Sequence, residues 1–169
     1  MNIKTIQIAW YGYYTYDSEK GFKSNNSRNK PEYADKKGLY QIYGNHSIYG
    51  NDSLLYIGKT DKSISSRISK HKDSWLYLLQ GEYKVCFGQI LKTHDNNDSQ
   101  EKQIDHAEGI LIDFYKPSQN VMRKNGTNIT NRLLINYGDY GRIERFVGTT
   151  YYETQSWKHE DLSELFFKK

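Results

Sequence analysis

Arg67 and His71 stand four residues apart in the stretch SISSRISKHKDSW, and Glu108 sits inside QEKQIDHAEGILIDFY. Counting about 100° per residue along a helix places Arg67 and His71 within an apolar stripe made by Ile64, Ile68 and Trp75. The same count places Glu108 beside Ile104, Ala107, Leu111 and Tyr115. Burying an unpaired charge costs on the order of several kcal/mol, so such residues must pair, hydrogen-bond or line a cleft. Upstream strands add two phenols, because Tyr40 shares a face with Ile42, and Tyr56 with Leu54 and Gly58. Two phenols, an imidazole, a guanidinium and a carboxylate are the parts of a metal-assisted phosphodiester cleavage site. In that reading Glu108 anchors Mg²⁺ (or Mn²⁺) and Arg67 grips the phosphate in a bidentate fork. His71 or Tyr40 takes the proton of an attacking water. A phenol with its reference pKa of about 10 is a poor base at neutral pH unless a cation lowers it. Lys59, next to Gly58, is the candidate cation. The plainer alternative is a structural Arg67–Glu108 ion pair between helices, with His71 a hydrogen-bonded core histidine; it implies no affinity for nucleic acid.

The elements that must position these residues follow from local pattern. Residues 3–16, IKTIQIAWYGYYTY, read as a strand or two. Residues 17–37 read as a long polar loop with six Lys or Arg against four acids. GLYQIYG (38–44) and SLLYIGKT (53–60) read as an antiparallel pair joined by an extended hairpin loop over 44–53. A helix is expected over Ser63 to Gln80, a third strand over 82–91, and a second helix from about Gln100 to Tyr115. Ser99 is its N-cap and Pro117 its stop. The remainder reads as a Gly- and Asn-rich loop (125–141), a strand candidate (142–153) and a short amphipathic C-terminal helix.

Composition narrows the class. A chain of 169 residues makes one domain, and with 36% hydrophobic residues its core must be compact; sixteen tyrosines add amphipathic surface. The net charge of +4 is mild, but its placement is uneven. From 59 to 72 there are five cations, Lys59, Lys62, Arg67, Lys70 and Lys72, against Asp61. From 121 to 145 there are five more, Arg123, Lys124, Arg132, Arg142 and Arg145, against Asp139 and Glu144. Both runs can face an anion or be ordinary solvated surface. A single cysteine, Cys86, in an apolar strand excludes an internal disulfide and a cysteine-based zinc site. No apolar run approaches transmembrane length and no N-terminal signal pattern is present, so a soluble cytoplasmic protein is expected.

GLYQIY, LLYIGKT, RISKH and AEGILIDFYKPSQN, in this order, resemble the successive motifs of the GIY-YIG nucleases. Gly38-Leu39-Tyr40 stands for the first triplet and Tyr56-Ile57-Gly58 for the second. Arg67 and His71 match the Arg-x-x-x-His of the following helix, Glu108 the metal-binding glutamate and Asn120 the asparagine at the domain's end. Leu39 replaces isoleucine, a change of similar volume. Fifteen residues, 41–55, separate the triplets, more than the family's usual ten or a few more, and imply a longer hairpin loop.

The resemblance covers residues 37–121. It implies an α/β (α+β) fold, a three-stranded antiparallel sheet flanked by helices, here with N-terminal (1–36) and C-terminal (122–169) strand and helix extensions. It implies catalysis by Tyr40, Tyr56, Arg67, His71, Glu108 and Asn120 with one Mg²⁺ per site, Tyr40 as general base, and Lys59 and Gly58 in support. No room remains for a separate targeting domain, so Lys62, Lys70, Lys72, Arg123, Lys124, Arg132 and Arg142 are the candidates for nucleic-acid contact. The expected activity is a restriction-type, site-specific cut of double-stranded DNA, made by a C₂ homodimer where both strands are cleaved. A stand-alone nuclease of a mobile element, and a non-catalytic binding module that keeps the fold, are the alternatives.

Overall fold

The computed structural model describes residues 3–17, 20–23, 31–78, 82–91, 97–122 and 129–149. Its strands are β1 (Lys4–Asp17), β2 (Gly21–Lys23), β3 (Gly38–His46), β4 (Gly50–Thr60), β5 (Tyr83–Ile90), β6 (Arg132–Gly138) and β7 (Phe146–Gly148). Two α-helices are present among the described residues, α1 (Ile64–Lys72) and α2 (Gln100–Tyr115), with short 3-10 turns at Glu32–Asp35 and Leu76–Leu78.

The expected three-stranded antiparallel sheet flanked by helices is corrected by this architecture. The strands form one seven-stranded mixed sheet in the order β4-β3-β5-β1-β6-β7, with β2 paired to β1, and it curls into a half-barrel. The antiparallel β4-β3-β5 group is only its first part. β1 pairs antiparallel with β5, from Ile8 opposite Ile90 to Tyr16 opposite Tyr83, and parallel with β6, from Lys4 opposite Arg132 to Trp10 opposite Gly138. The N-terminal strand is thus the middle of the sheet rather than an extension. β6 lies where a Gly- and Asn-rich loop was expected. Its Leu133-Leu134-Ile135-Asn136 run is buried throughout, as a strand with a neighbour on each edge requires, and carries no alternation to betray it.

Alternation along the strands divides the core between the two faces of the sheet. On one face Ile6, Ile8, Trp10, Leu39 and Ile57 pack against Ile104, Ala107, Ile110 and Leu111 of α2. On the other, Tyr40, Ile42, Val85 and Phe87 pack against Ile64 and Ile68 of α1. Cys86 lies buried on the α2 side.

Both helices begin where expected, Ser63 and Ser99 accepting backbone N–H bonds from Ser66 and Lys102. α2 closes at Lys116 in left-handed geometry ahead of Pro117. α1 is shorter than its apolar stripe suggested. The His71 carbonyl accepts from the backbone N–H groups of Ser74 and Trp75 and from the Ser74 hydroxyl, so the chain tightens after Lys72. Of the strand candidate 142–153, Phe146–Gly148 is strand; residues 150–153 and the C-terminal helix candidate lie outside the described residues.

β6 is tied into the core through Asn136, which is fully buried. Its Oδ1 accepts from the Trp10 indole N–H at 2.8 Å, and its Nδ2 donates to the Glu144 carbonyl at 2.8 Å. Replacing Asn136 with alanine leaves the Trp10 indole N–H unsatisfied in the interior. Urea denaturation of Asn136→Ala is expected to show a loss of about 1–3 kcal/mol, whereas a loop at this position would tolerate the change.

Candidate active site

The site is built on the first two strands of the β4 edge. Tyr40 on β3 lies opposite Gly58 on β4, and Ile42 opposite Tyr56. The Tyr40 ring crosses over Gly58: a Cβ there would stand 2.5 Å from the Tyr40 hydroxyl, 2.6 Å from its Cζ and 2.6 Å from Tyr56 Cε1. Tyr40 and Tyr56 therefore stack, ring centroids 5.9 Å apart. The first triplet's glycine has a different origin. Gly38 has φ +153°, and a Cβ on it would meet the Gly88 carbonyl oxygen at 2.4 Å, so β3 and β5 close at this point only without a side chain.

α1 closes the α1-facing side of the phenols. His71, 8% exposed, places Nε2 2.8 Å from the Tyr40 hydroxyl oxygen. Its Nδ1 accepts a 3.1 Å bond from the Trp75 indole N–H. Tyr56 packs on both, its ring 4.6 Å from His71 and 5.5 Å from Trp75. One helical turn before His71, Arg67 is solvent-accessible at the rim, near enough for its charge to act on both phenols. Of the two, only His71 turns inward, filling the interior as a hydrogen-bonded neutral ring, while Arg67 stays at the rim and acts on the phenols by its charge.

Electrostatics follow from that placement. Burial pushes the Tyr40 phenol far above its ordinary value, Tyr56 adds to the shift, and Arg67 opposes it. Tyr56 is raised by burial and by the charge of Glu108, again with Arg67 pulling down. His71 is lowered to about 4 by burial and by Arg67, so it is neutral at pH 7. Arg67 stays firmly charged; burial works against it, and the two phenols more than compensate. Glu108 belongs to α2, on the opposite face of the sheet, yet its charge acts on both tyrosines.

Asn120 serves the backbone. It is 4% exposed, its Oδ1 accepts from the Ile57 N–H at 3.0 Å and its Nδ2 donates to the Ile57 carbonyl at 2.8 Å. Because β4 is the outermost strand, Asn120 stands in for a missing neighbour and pins the middle of the Tyr56-Ile57-Gly58 triplet. Lys59 falls on the α2 side by alternation and pairs with Asp105 at 2.5 Å, so the cation that stands against the phenols is Arg67.

The remaining sequence candidates separate. A cleft of about 490 Å³ opens beside Arg67, with Lys37, Lys59, Lys62, Ser66 and Lys70 in its walls. Lys37 and Lys59 are paired there with Glu101 and Asp105. Lys72 is half-buried at the end of α1 and does not line it. Arg132, 14% exposed, is bonded to Asp98 at 3.0 Å and ties β6 to the start of α2. Arg142 faces a separate hollow of about 190 Å³ with Tyr13, Tyr43, Asp52 and Lys84. Arg123 and Lys124 lie outside the described residues. Two contributors escaped sequence reasoning: Lys37, in a loop, and Trp75, counted only as core. The spacing of Trp75, four after His71, was the available signal.

Among the described residues no group of three or more His, Cys, Asp or Glu is placed to hold a metal ion. The donor set fits a cation that takes one protein carboxylate and fills its other positions with water and phosphate oxygens, the habit of Mg²⁺. It does not fit a cation needing an all-protein cage. No helix among the described residues is long and apolar enough to cross a membrane.

Fold and site together define a sheet-edge cluster of two phenols, an imidazole and a guanidinium, with a carboxylate acting on it from the far side. No protein-family model, curated protein or solved structure matches the chain.

Adding one methyl group at Gly58 must displace the Tyr40 ring, since the other close atom is also aromatic. Gly58→Ala is expected to cost about 1–3 kcal/mol of stability in urea and to abolish the Tyr40–His71 contact in a crystal structure. Unchanged stability with the contact retained would show that the ring does not rest on Gly58.

Proposed function

We propose that the chain is a divalent-metal-dependent DNA endonuclease of the GIY-YIG kind, hydrolysing phosphodiester bonds in double-stranded DNA at defined sites. The observation that carries this reading is the cluster of Tyr40, Tyr56 and His71 packed together behind Arg67, which itself lines a cleft whose walls hold four lysines. A structural ion pair needs none of these phenols, and a simple binding surface needs no buried imidazole.

In this reading Arg67 docks the scissile phosphate and holds the charge that grows on its oxygens as the attacking water adds. Lys62 and Lys70 meet phosphates on one side of it. The proton leaving the water is received by Tyr40, which His71 holds in place, and Tyr56 orients the water or phosphate from the adjacent strand. Glu108 would hold Mg²⁺, which would supply polarisation of the phosphate and stabilisation of the leaving oxygen. Asn120 keeps β4 in register, and so acts on Tyr56 and Gly58 through Ile57.

The test is incubation of the purified protein with plasmid and phage DNA in Mg²⁺, beside Glu108→Ala and a chelated control. Discrete fragments from the wild type, absent from both controls, are the expected result. Salt-dependent binding without cutting under Mg²⁺ and Mn²⁺ would replace the enzyme by a non-catalytic binding module, and no salt-dependent binding would overturn both.

A further inference from the structure

The direction of the hydrogen bond between His71 and Tyr40 is settled by a third residue. An indole nitrogen donates and never accepts. The 3.1 Å bond from Trp75 Nε1–H to His71 Nδ1 therefore requires Nδ1 to be unprotonated. A neutral imidazole with a bare Nδ1 carries its proton on Nε2, and Nε2 lies 2.8 Å from the Tyr40 oxygen.

We propose that Trp75 is a positioning residue that locks His71 as the Nε2–H tautomer, so that His71 donates to Tyr40 and cannot accept its proton. The imidazolium form is excluded by the same contact, because an Nδ1–H would face the indole N–H. The burial and the neighbouring guanidinium that keep His71 neutral act in the same sense. The indole is itself held in place, since its ring lies 5.5 Å from both Tyr56 and His71, and the short turn after Lys72 swings it back beneath the helix.

The consequence concerns proton traffic, and it rests on the nuclease reading for that part alone. With His71 donating to the Tyr40 oxygen, the imidazole stabilises a Tyr40 phenolate but cannot take the phenol's proton, which passes to bulk water to leave the minor form that acts as base. Tyr40 then takes one proton from the attacking water as the new O–P bond forms and the P–O bond to the leaving group breaks, the leaving oxygen being protonated by solvent. Tyr40 is the base; His71 holds it.

The test is the ¹⁵N spectrum of the His71 side chain in the full chain at neutral pH, for the wild type and for Trp75→Phe. The phenylalanine keeps an aromatic ring but has no N–H. In the wild type, Nε2 is expected to be the protonated nitrogen and Nδ1 the bare one; in Trp75→Phe the two tautomers should mix. Cleavage by Trp75→Phe should fall at least about tenfold in kcat, the scale seen when a hydrogen-bond partner of a functional imidazole is removed, with KM little changed. A wild-type spectrum showing protonated Nδ1 would overturn the inference whatever becomes of the variant, as would an unaltered tautomer in a folded Trp75→Phe. A correct tautomer in a protein that cuts no DNA would count against the nuclease reading and leave the lock standing.

Discussion

A full-sized aromatic ring can cross from one strand onto its neighbour only where the neighbour has no side chain. Tyr40 crosses at Gly58, and the rest of the site depends on that contact. It lays the Tyr40 hydroxyl beneath α1, where His71 meets it, and it sets the ring beside Tyr56 so that the charge of Arg67 acts on both phenols. Because β4 is the outer strand, the contact also needs its backbone held from outside. Asn120 does this with both ends of its amide, and the Gln119 N–H bonded to the Leu55 carbonyl extends the same clamp. Residues far apart in the chain thus converge on a few atoms of one strand edge.

Charge is managed at this edge by distance from solvent. His71 and Tyr40 lie inside and are neutral at pH 7; Arg67 lies at the rim and keeps its charge. A buried phenol is a reluctant acid, so the donors around its oxygen matter more than its average environment. The cation that serves it is Arg67, because strand alternation sends Lys59 to the opposite face, where Asp105 neutralises it. Two of the four cleft lysines, Lys37 and Lys59, are likewise matched by acids of α2, which leaves Lys62, Lys70 and Arg67 against the single further acid of the wall, Asp61, a net positive lining.

Much of this was legible in the residues themselves. The β3–β4 pair, β5, and α2 with its Ser99 cap and Pro117 stop follow from alternation, periodicity and capping. The inward turn of His71 follows from its helical angle. Other features were hidden for physical reasons. The run of β6 is short, apolar and set among glycines and asparagines, so nothing local marks it as a strand; its burial comes from pairing with β1, far away in the sequence. The centrality of β1 is likewise a matter of which partners it finds. The apolar stripe continued past Lys72 although the helix did not, because Ser74 and Trp75 compete for the His71 carbonyl. Trp75 was read as packing, and its N–H is what orients the site. Arg132, a candidate for nucleic-acid contact, is also engaged by Asp98, a pairing that charge counting along the chain does not reveal.

In the proposed nuclease, phosphodiester hydrolysis turns on the Tyr40 oxygen, oriented but not deprotonated by His71. Tyr40→Phe removes that one atom and keeps the ring on Gly58. Its DNA affinity and its single-turnover cleavage in Mg²⁺, measured beside the wild type, separate chemistry from binding. Affinity within about twofold of the wild type, with cleavage slowed at least about a hundredfold, is the expected result for loss of a general base. Cleavage at the wild-type rate would contradict the claim and move the proton acceptor elsewhere in the site.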